Sequence, residues 1–502
     1  MTIYNINLGI GWASSGVEYA QAYRGQIFRQ LGQPAKFIFN DMILADNIQH
    51  LTENIGFKDQ EIIWIYNYFT DIKIAPTTYT IAQVLASVEG EPTSQERNGR
   101  IARAFYDGDF YMTLYLKNEE EDFVERVEYV SRGCLIRKDY FSYTRYCSEY
   151  FVLRDGGLFM SQRRFYNEDG STAYDMVMDG NNQEALYRFP DHICYSKSEL
   201  VGYLLDKLEL TEQDIVILDR ETGIGQIVFE KARPAKLGVV VHAEHYSENA
   251  TNEDYILWNN YYDYQFTNAD KVDFFIVATD RQKEILQEQF RHYNRTEPRI
   301  FTIPVGSLPE LKKPNASRKP FGMVTASRLA TEKHIDWLIH AVVEARKTLP
   351  ALTLDIYGKG GEEQKLRQLI KDKQAQDFIV LKGHADMTDV YSQYQVYLAA
   401  STSEGFGLTL MEALGSGLPL IGFDVPYGNQ TFIRDGVNGY LLPLKEEKIE
   451  EDIAQAFAEK ICQIYQEDLL SSMQEAAYAR AEDFLTSHVE TAWSDLIKEV
   501  LA

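Results

Sequence analysis

Residues 401–419 read STSEGFGLTLMEALGSGLP. Two carboxylates, Glu404 and Glu412, stand eight positions apart, with Gly405, Phe406 and Gly407 after the first and an apolar helix starting near Leu408. Glycines let the backbone approach a ligand because no Cβ intervenes. The N-terminus of a helix offers unpaired N–H groups and a positive dipole end, which suits phosphate. Carboxylates repel phosphate, so they fit here only if each grips hydroxyls on either side of it. Eight residues of helix span about 12 Å. A hexose joined through diphosphate to a ribose presents hydroxyls, anion and hydroxyls in that order. Glu404 is then expected on the hexose and Glu412 on the ribose. A solvated loop glutamate and an exposed helix glutamate would give the same spacing, so the neighbouring segments carry the distinction.

Those segments supply the complementary charge. SRLATEKHIDWLIHA carries Arg328 and Lys333 after a strand; a departing diphosphate demands cations, and arginine offers a bidentate fork. FIVLKGHADMTDVY places Gly383 and His384 past another strand, where backbone groups could read a base edge. VVVHAEHY puts His242 just past a third.

The elements that must hold these residues follow from patterning. A chain of 502 residues is too long for one ordinary core, so two or more domains are expected. A net charge of −25 argues against general nucleic-acid or anionic-membrane affinity. The four cysteines are scattered without metal-ligand spacing and read as reduced thiols of a cytosolic protein. No run is long and apolar enough for a transmembrane helix, and the first residues lack the basic and apolar regions of a secretion signal. The 33 tyrosines could serve an interface as easily as a core.

Residues 1–74 begin as strand, glycine-rich turn, helix and strand, with Gly32 where a helix-ending glycine belongs. Over 75–192 the period shifts toward two, broken by KNEEED, LRDGG, NEDGS and MDGNN, which predicts an antiparallel β-meander inserted in an α/β domain. Helix–strand alternation returns over 193–310, and a proline-containing stretch, IFTIPVGSLPELKKPNASRKP, reads as a linker. A second α/β domain is expected over 311–484. The last segment, 485–502, is an amphipathic helix with Val489, Trp493, Leu496, Ile497 and Leu501 near one face.

The ordered set SRL…K, YGKG, KGH, SEGFGLTLMEALGSGLP and DGVNGYLLP over 320–442 resembles the C-terminal domain of a retaining, nucleotide-sugar-dependent glycosyltransferase of family 4, whose GT-B fold sets two Rossmann-like domains around a cleft. IPVGS resembles that family's linker strand. The resemblance implies sugar transfer with retention and no required metal or other cofactor. It implies Arg328 and Lys333 on the diphosphate, Glu404 on the donor sugar, the amides of Gly405, Phe406, Gly407 and Leu408 near sugar and phosphate, and Glu412 on the ribose. Gly383 and His384 fall where the base is read. GIGWASSGVE stands at the family's glycine loop, with Gly11, Ser14, Ser15 and Gly16 small enough for close approach, and Gly16 is taken as donor-binding. His242 stands where family members shape the transition state, which makes His242 and Glu404 the catalytic pair. VPYGNQTFI departs from the family pattern and receives no site role. The last helix is implied to cross back to the first domain.

The β-rich insert resembles the A-subunit glycosyltransferases of streptococcal accessory-secretion loci. That implies UDP-GlcNAc as donor, with glucose the nearest alternative sugar. It also implies a serine/threonine-rich adhesin as acceptor, a non-identical B subunit docked through the meander, and a cytoplasmic location with peripheral attachment at the inner membrane face. Wall-teichoic-acid glycosyltransferases share such an insert and form the alternative; Arg126, Arg132, Arg137, Lys138, Arg145, Arg163 and Arg164 within it would suit a polyphosphate acceptor. A catalytically silent binding subunit is a third reading, opposed by the presence of Arg328, Lys333, Glu404 and Glu412.

Overall fold

The computed structural model describes residues 1–11, 16–154, 156–179, 183–220, 222–444, 447 and 449–502; Ser14 and Ser15 lie outside the described residues. The chain forms two compact units. One comprises Met1–Val240, Asn260–Asp273 and Leu501, the other Val241–Asn259, Phe274–Val500 and Ala502.

The first unit contains parallel strands in the order Lys236–Val241, Ile215–Leu218, Ile3–Asn7, Ala35–Phe39, Ile62–Trp64. Ile215–Leu218 is buried at every residue, as a central parallel strand must be. The helix Gly16–Gln30 is followed by Gly32 at φ +65°, where the chain turns toward the next strand. Beneath the carboxyl ends of the two central strands lies a buried polar knot. Arg24 donates from Nη2 to Asp219 Oδ1 (2.9 Å) and from Nη1 to Asp219 Oδ2 (3.0 Å) and Asn5 Oδ1 (2.9 Å), and Gln21 donates to Asp219 Oδ2 (2.7 Å).

The expected meander is a ten-stranded antiparallel sheet in strict chain order, from Ser94–Asn98 to Ile193–Cys194. The helix Ile81–Ala86 precedes it and places Val84 in a core with Met112, Leu114, Val127 and Phe141. The run DFVERVEYVSRGCLIRKDYFS divides into strands Val124–Ser131 and Cys134–Phe141. Arg132 and Gly133 between them take φ of +51° and +74°, the two positive values of a tight hairpin turn. Several tyrosines fill core: Tyr66, Tyr174 and Tyr187 are fully buried, and Tyr66 and Tyr174 both stack on Phe165. The first strand, SQERN, is exposed at every residue and forms an edge of the sheet.

The second unit contains a six-stranded parallel sheet in the order Ile379–Gly383, Thr353–Tyr357, Gly322–Ala326, Val396–Ala399, Leu420–Phe423, Gly439–Leu442. The chain steps outward from Gly322–Ala326 in one direction, then restarts at Val396–Ala399 and steps outward in the other. The switch point therefore lies between those two strands, where ligands of open α/β sheets bind. The proline-containing stretch after residue 302 is docked: Leu308 exchanges backbone hydrogen bonds with Phe484 and Thr486, and the Arg318 guanidinium donates to the carbonyls of Ser392, Tyr394 and Ser416. The last helix, Thr486–Leu501, buries Val489, Trp493, Leu496 and Val500. Val500 takes the place expected for Leu501, because 489, 493, 496 and 500 keep the 3.6-residue period.

Candidate active site

The loops that leave the two switch-point strands carry the cations and the first carboxylate. After Gly322–Ala326, the turn Thr331–Lys333 presents Lys333, whose Nζ donates to Glu404 Oε2 at 2.7 Å. Arg328 is 74% exposed and pairs with Glu332 at 3.1 Å, a solvent-facing contact of small energy that leaves the guanidinium reachable by an anion. The YGKG loop is zipped onto the Arg328 loop: Ser327 N donates to Tyr357 O, Leu329 N to Lys359 O and Glu362 N back to Leu329 O. Gly383 O accepts from Gly358 N, while His384 next to it is exposed. Gly16 opens the first helix of the first unit and is exposed.

After Val396–Ala399, residues 401–407 lead into the helix Leu408–Gly415. Phe406 packs its ring on Phe432 and Phe484, so only its backbone is offered to a ligand. A Cβ at Gly405 would lie 2.8 Å from the carbonyl oxygen of His242, so this position needs glycine. The same approach brings the His242 segment beside Glu404, and Ser403 Oγ donates to Glu244 Oε2 (3.2 Å) alongside.

Glu412 sits on the helix, mostly out of water, and accepts one hydrogen bond from the hydroxyl of buried Tyr391 (3.2 Å). Burial pushes its carboxyl up to about 7, against a smaller downward pull from Tyr391. The free carboxylate thus lacks donors that two ribose hydroxyls could supply. Its folded value lies above the unfolded value of 4.5, so this group favours the folded state below that pH and loses the contribution as pH rises through about 7. Nucleotide binding has the opposite dependence if the ionised form accepts from ribose. UDP affinity is expected to rise about tenfold from about pH 6 to about pH 8. Calorimetry on Glu412→Gln should lose that slope; an unchanged slope would remove Glu412 from the ribose.

Three features were missed in the sequence. VPYGNQTFI departs from the family pattern, yet Tyr427 N and Gly428 N both donate to Glu404 O at 2.9 Å. Tyr391 was passed over beneath Glu412. His245, three residues after His242, is fully buried and makes hydrogen bonds through both ring nitrogens, to Gln289 and Tyr427. The usable signal was the position of Gly428, a glycine soon after the strand Leu420–Phe423 on the same edge of the sheet. Among the described residues, no group of three or more His, Cys, Asp or Glu side chains is placed to hold a metal ion.

Comparison with known proteins places the chain in a family. The GtfA extended beta-sheet domain matches residues 94–191, and the group 1 glycosyl transferases match residues 320–467. The UDP-N-acetylglucosamine--peptide N-acetylglucosaminyltransferase GtfA subunit of Streptococcus gordonii is 66% identical over 501 residues, spanning 100% of this chain and 99% of its own. The chain belongs to the GtfA family of glycosyltransferases. Two solved structures of GtfA proteins superpose closely. A GtfA/B complex gives a TM-score of 0.96 at 66% identity, covering 100% of both chains. The pneumococcal O-GlcNAc transferase GtfA in complex with UDP and GlcNAc gives 0.94 at 63%, covering 100% of this chain and 99% of that one. The GtfA fold is GT-B, as the family resemblance implies, with the antiparallel β-sheet insert that the sequence patterning predicts. Within this GtfA-family chain, the matched transferase segment includes Arg328, Lys333, Gly383, His384 and the 404–412 stretch.

Proposed function

We propose that this chain is the catalytic A subunit of a retaining transferase that moves N-acetylglucosamine from UDP-GlcNAc to serine and threonine hydroxyls of an extended, serine-rich polypeptide, together with a second, non-identical subunit. The observation that carries the reading is the placing of Lys333 and Glu404 against each other at the mouth of the Leu408–Gly415 helix, with Glu412 farther along it. Full-length identity of 66% to a peptide N-acetylglucosaminyltransferase subunit supports the same donor and acceptor class.

In the mechanism this arrangement supports, Lys333, Arg328 and the helix N-terminus take up charge on the departing diphosphate. Glu404 holds hexose hydroxyls, Glu412 holds the ribose, and His242 packs beside the sugar. Gly383 and His384 read the base, and Gly16 is assigned a donor-binding role. The acceptor hydroxyl attacks C1 on the face the diphosphate leaves. The C1–O bond to phosphate breaks as the new C1–O bond to serine or threonine forms, and the hydroxyl proton passes to the leaving phosphate oxygen. The products are UDP and an α-linked O-GlcNAc residue. We assign no protein nucleophile and no metal to this reaction.

The insert bears on the acceptor. Six of the seven basic residues named in it pair with carboxylates: Arg126 and Lys138 with Glu128, Arg137 and Arg145 with Asp139, Arg163 with Glu149, Arg164 with Asp175. A polyol-phosphate acceptor would have to compete with these carboxylates for the cations, which favours a polypeptide. We place partner docking on the insert, the domains at the boundaries given by the patterning, and the protein in the cytoplasm with peripheral attachment to the membrane. Among the described residues no helix is long and apolar enough to cross a membrane.

The test incubates the chain, with and without its co-expressed B subunit, with labelled UDP-GlcNAc and either a serine/threonine-rich peptide or purified teichoic acid. Label on peptide that rises with the B subunit is expected. Label on teichoic acid alone, from a homo-oligomer by light scattering, would overturn the reading. No transfer with a fully bound donor would point to a silent binding subunit.

A further inference from the structure

We infer that Gln289, His245 and Tyr427 form a buried rod that sets the spacing between the His242 segment and the Glu404 loop, with Tyr427 and His245 as positioning residues for transfer. The inference rests on the proposed reaction at that site. Gln289 closes the helix Asp280–Gln289, and its Oε1 lies 2.7 Å from His245 Nε2. With that carbonyl accepting, Nε2 carries the proton and Nδ1 presents a lone pair. The Tyr427 hydroxyl lies 3.1 Å from Nδ1 and donates to it. All three side chains are buried, at 8%, 0% and 2% exposure, so water does not compete freely for these bonds. Burial also holds the imidazole neutral, its value lowered to about 4.

Each end of the rod is tied to a candidate catalytic residue through backbone. At the histidine end, Gln282 Nε2 donates to Ala243 O (2.9 Å), Asn259 Nδ2 to Glu244 O (3.0 Å) and Asn259 N to His245 O (2.9 Å), which fixes the three residues after His242. At the tyrosine end, the amides of Tyr427 and Gly428 hold the carbonyl of Glu404. A Cβ on Gly428 would fall 2.0 Å from Phe406 O, so the loop seats on this segment without slack. Removing the tyrosine hydroxyl leaves the ring in place but unpins one loop from the other. A displacement of about 1 Å between groups that hold a reacting sugar costs about a hundredfold in rate.

The experiment compares Tyr427→Phe, His245→Asn and His245→Gln with wild type, in complex with the B subunit. Transfer from UDP-GlcNAc, UDP affinity and melting temperature are measured together. Tyr427→Phe should lower kcat by about ten- to a hundredfold and change UDP affinity by less than about threefold. Asparagine at 245 places Oδ1 near the site of Nδ1 and keeps the acceptor for Tyr427, whereas glutamine reaches toward Gln289 instead. His245→Asn should therefore retain more of kcat than His245→Gln. Mere packing predicts the reverse, because glutamine is closer to histidine in size. Wild-type kcat in Tyr427→Phe, a glutamine variant at least as fast as the asparagine one, or UDP affinity falling in step with kcat would each overturn the rod. Wild-type complex that transfers nothing would overturn the parent reading and the rod together, and so is distinguishable from failure of the rod alone.

Discussion

Replacing Lys333 with alanine is expected to slow sugar transfer by about 10²–10³-fold while leaving the fold intact. The ammonium is 2.7 Å from Glu404, and both side chains are about four-fifths out of water, at 17% and 21% exposure. Each therefore compensates the other until the donor arrives. In the proposed mechanism the diphosphate draws the ammonium to itself and releases Glu404 to accept from the hexose. Loss of Lys333 removes the cation where leaving-group charge develops and leaves Glu404 to repel the incoming anion. Glu404→Gln should separate the two effects. Without the competing carboxylate, UDP should bind at least as tightly as to wild type, while transfer falls. Turnover of UDP-GlcNAc, UDP calorimetry and thermal melting on both variants form the check. Wild-type turnover in Lys333→Ala, or weakened UDP binding in Glu404→Gln, would break this account.

The second large effect is on stability. Asp219 is fully buried, and Arg24 beside it is almost so, at 4% side-chain exposure. Asp219→Ala should destabilise the first unit by about 3–5 kcal/mol, because the guanidinium stays buried with its counter-charge gone. The penalty comes from the orphaned charge more than from the lost attraction. Changing Arg24 and Asp219 together to apolar residues of similar volume should thus cost less than Asp219→Ala alone. Urea denaturation of the single and double variants measures both quantities. A double variant less stable than the single one would show that the hydrogen bonds to Asn5 and Gln21, rather than charge compensation, carry the knot.

What the sequence made legible depended on period. Long alternations such as GLFMSQRRFY correspond to a single strand, Gly157–Tyr166, and the α/β runs show equally clear strands. Ile62–Trp64 was invisible because three residues followed at once by a helix give no period to read. Ser94–Asn98 was invisible for a different reason: an edge strand exposed on every residue has no buried face, so it leaves no apolar alternation. At the site, residues that would touch a ligand stood out by chemical type. Tyr391, His245 and Tyr427 did not, because a buried tyrosine or histidine in one sequence looks like ordinary core. Their importance lies in partners 21, 44 and 182 positions away in the chain, which only folding brings within hydrogen-bond reach.

The polar edge formed by Ser94–Asn98 also limits how a long acceptor could be handled. Its side chains are engaged across the strand and beyond it, Glu96 with Arg103 and Arg97 with Asp122. An unfolded serine-rich chain could otherwise zip its own backbone onto that rim and become an eleventh strand, since main-chain pairing ignores side-chain identity. A substrate bound that way would be held in one frame, and each modification would wait for a whole ladder of hydrogen bonds to peel off. A charged rim disfavours such capture. On the proposed function, a serine-rich acceptor would then slip past in small steps, presenting one hydroxyl after another, and a heavily modified product would depart without unzipping.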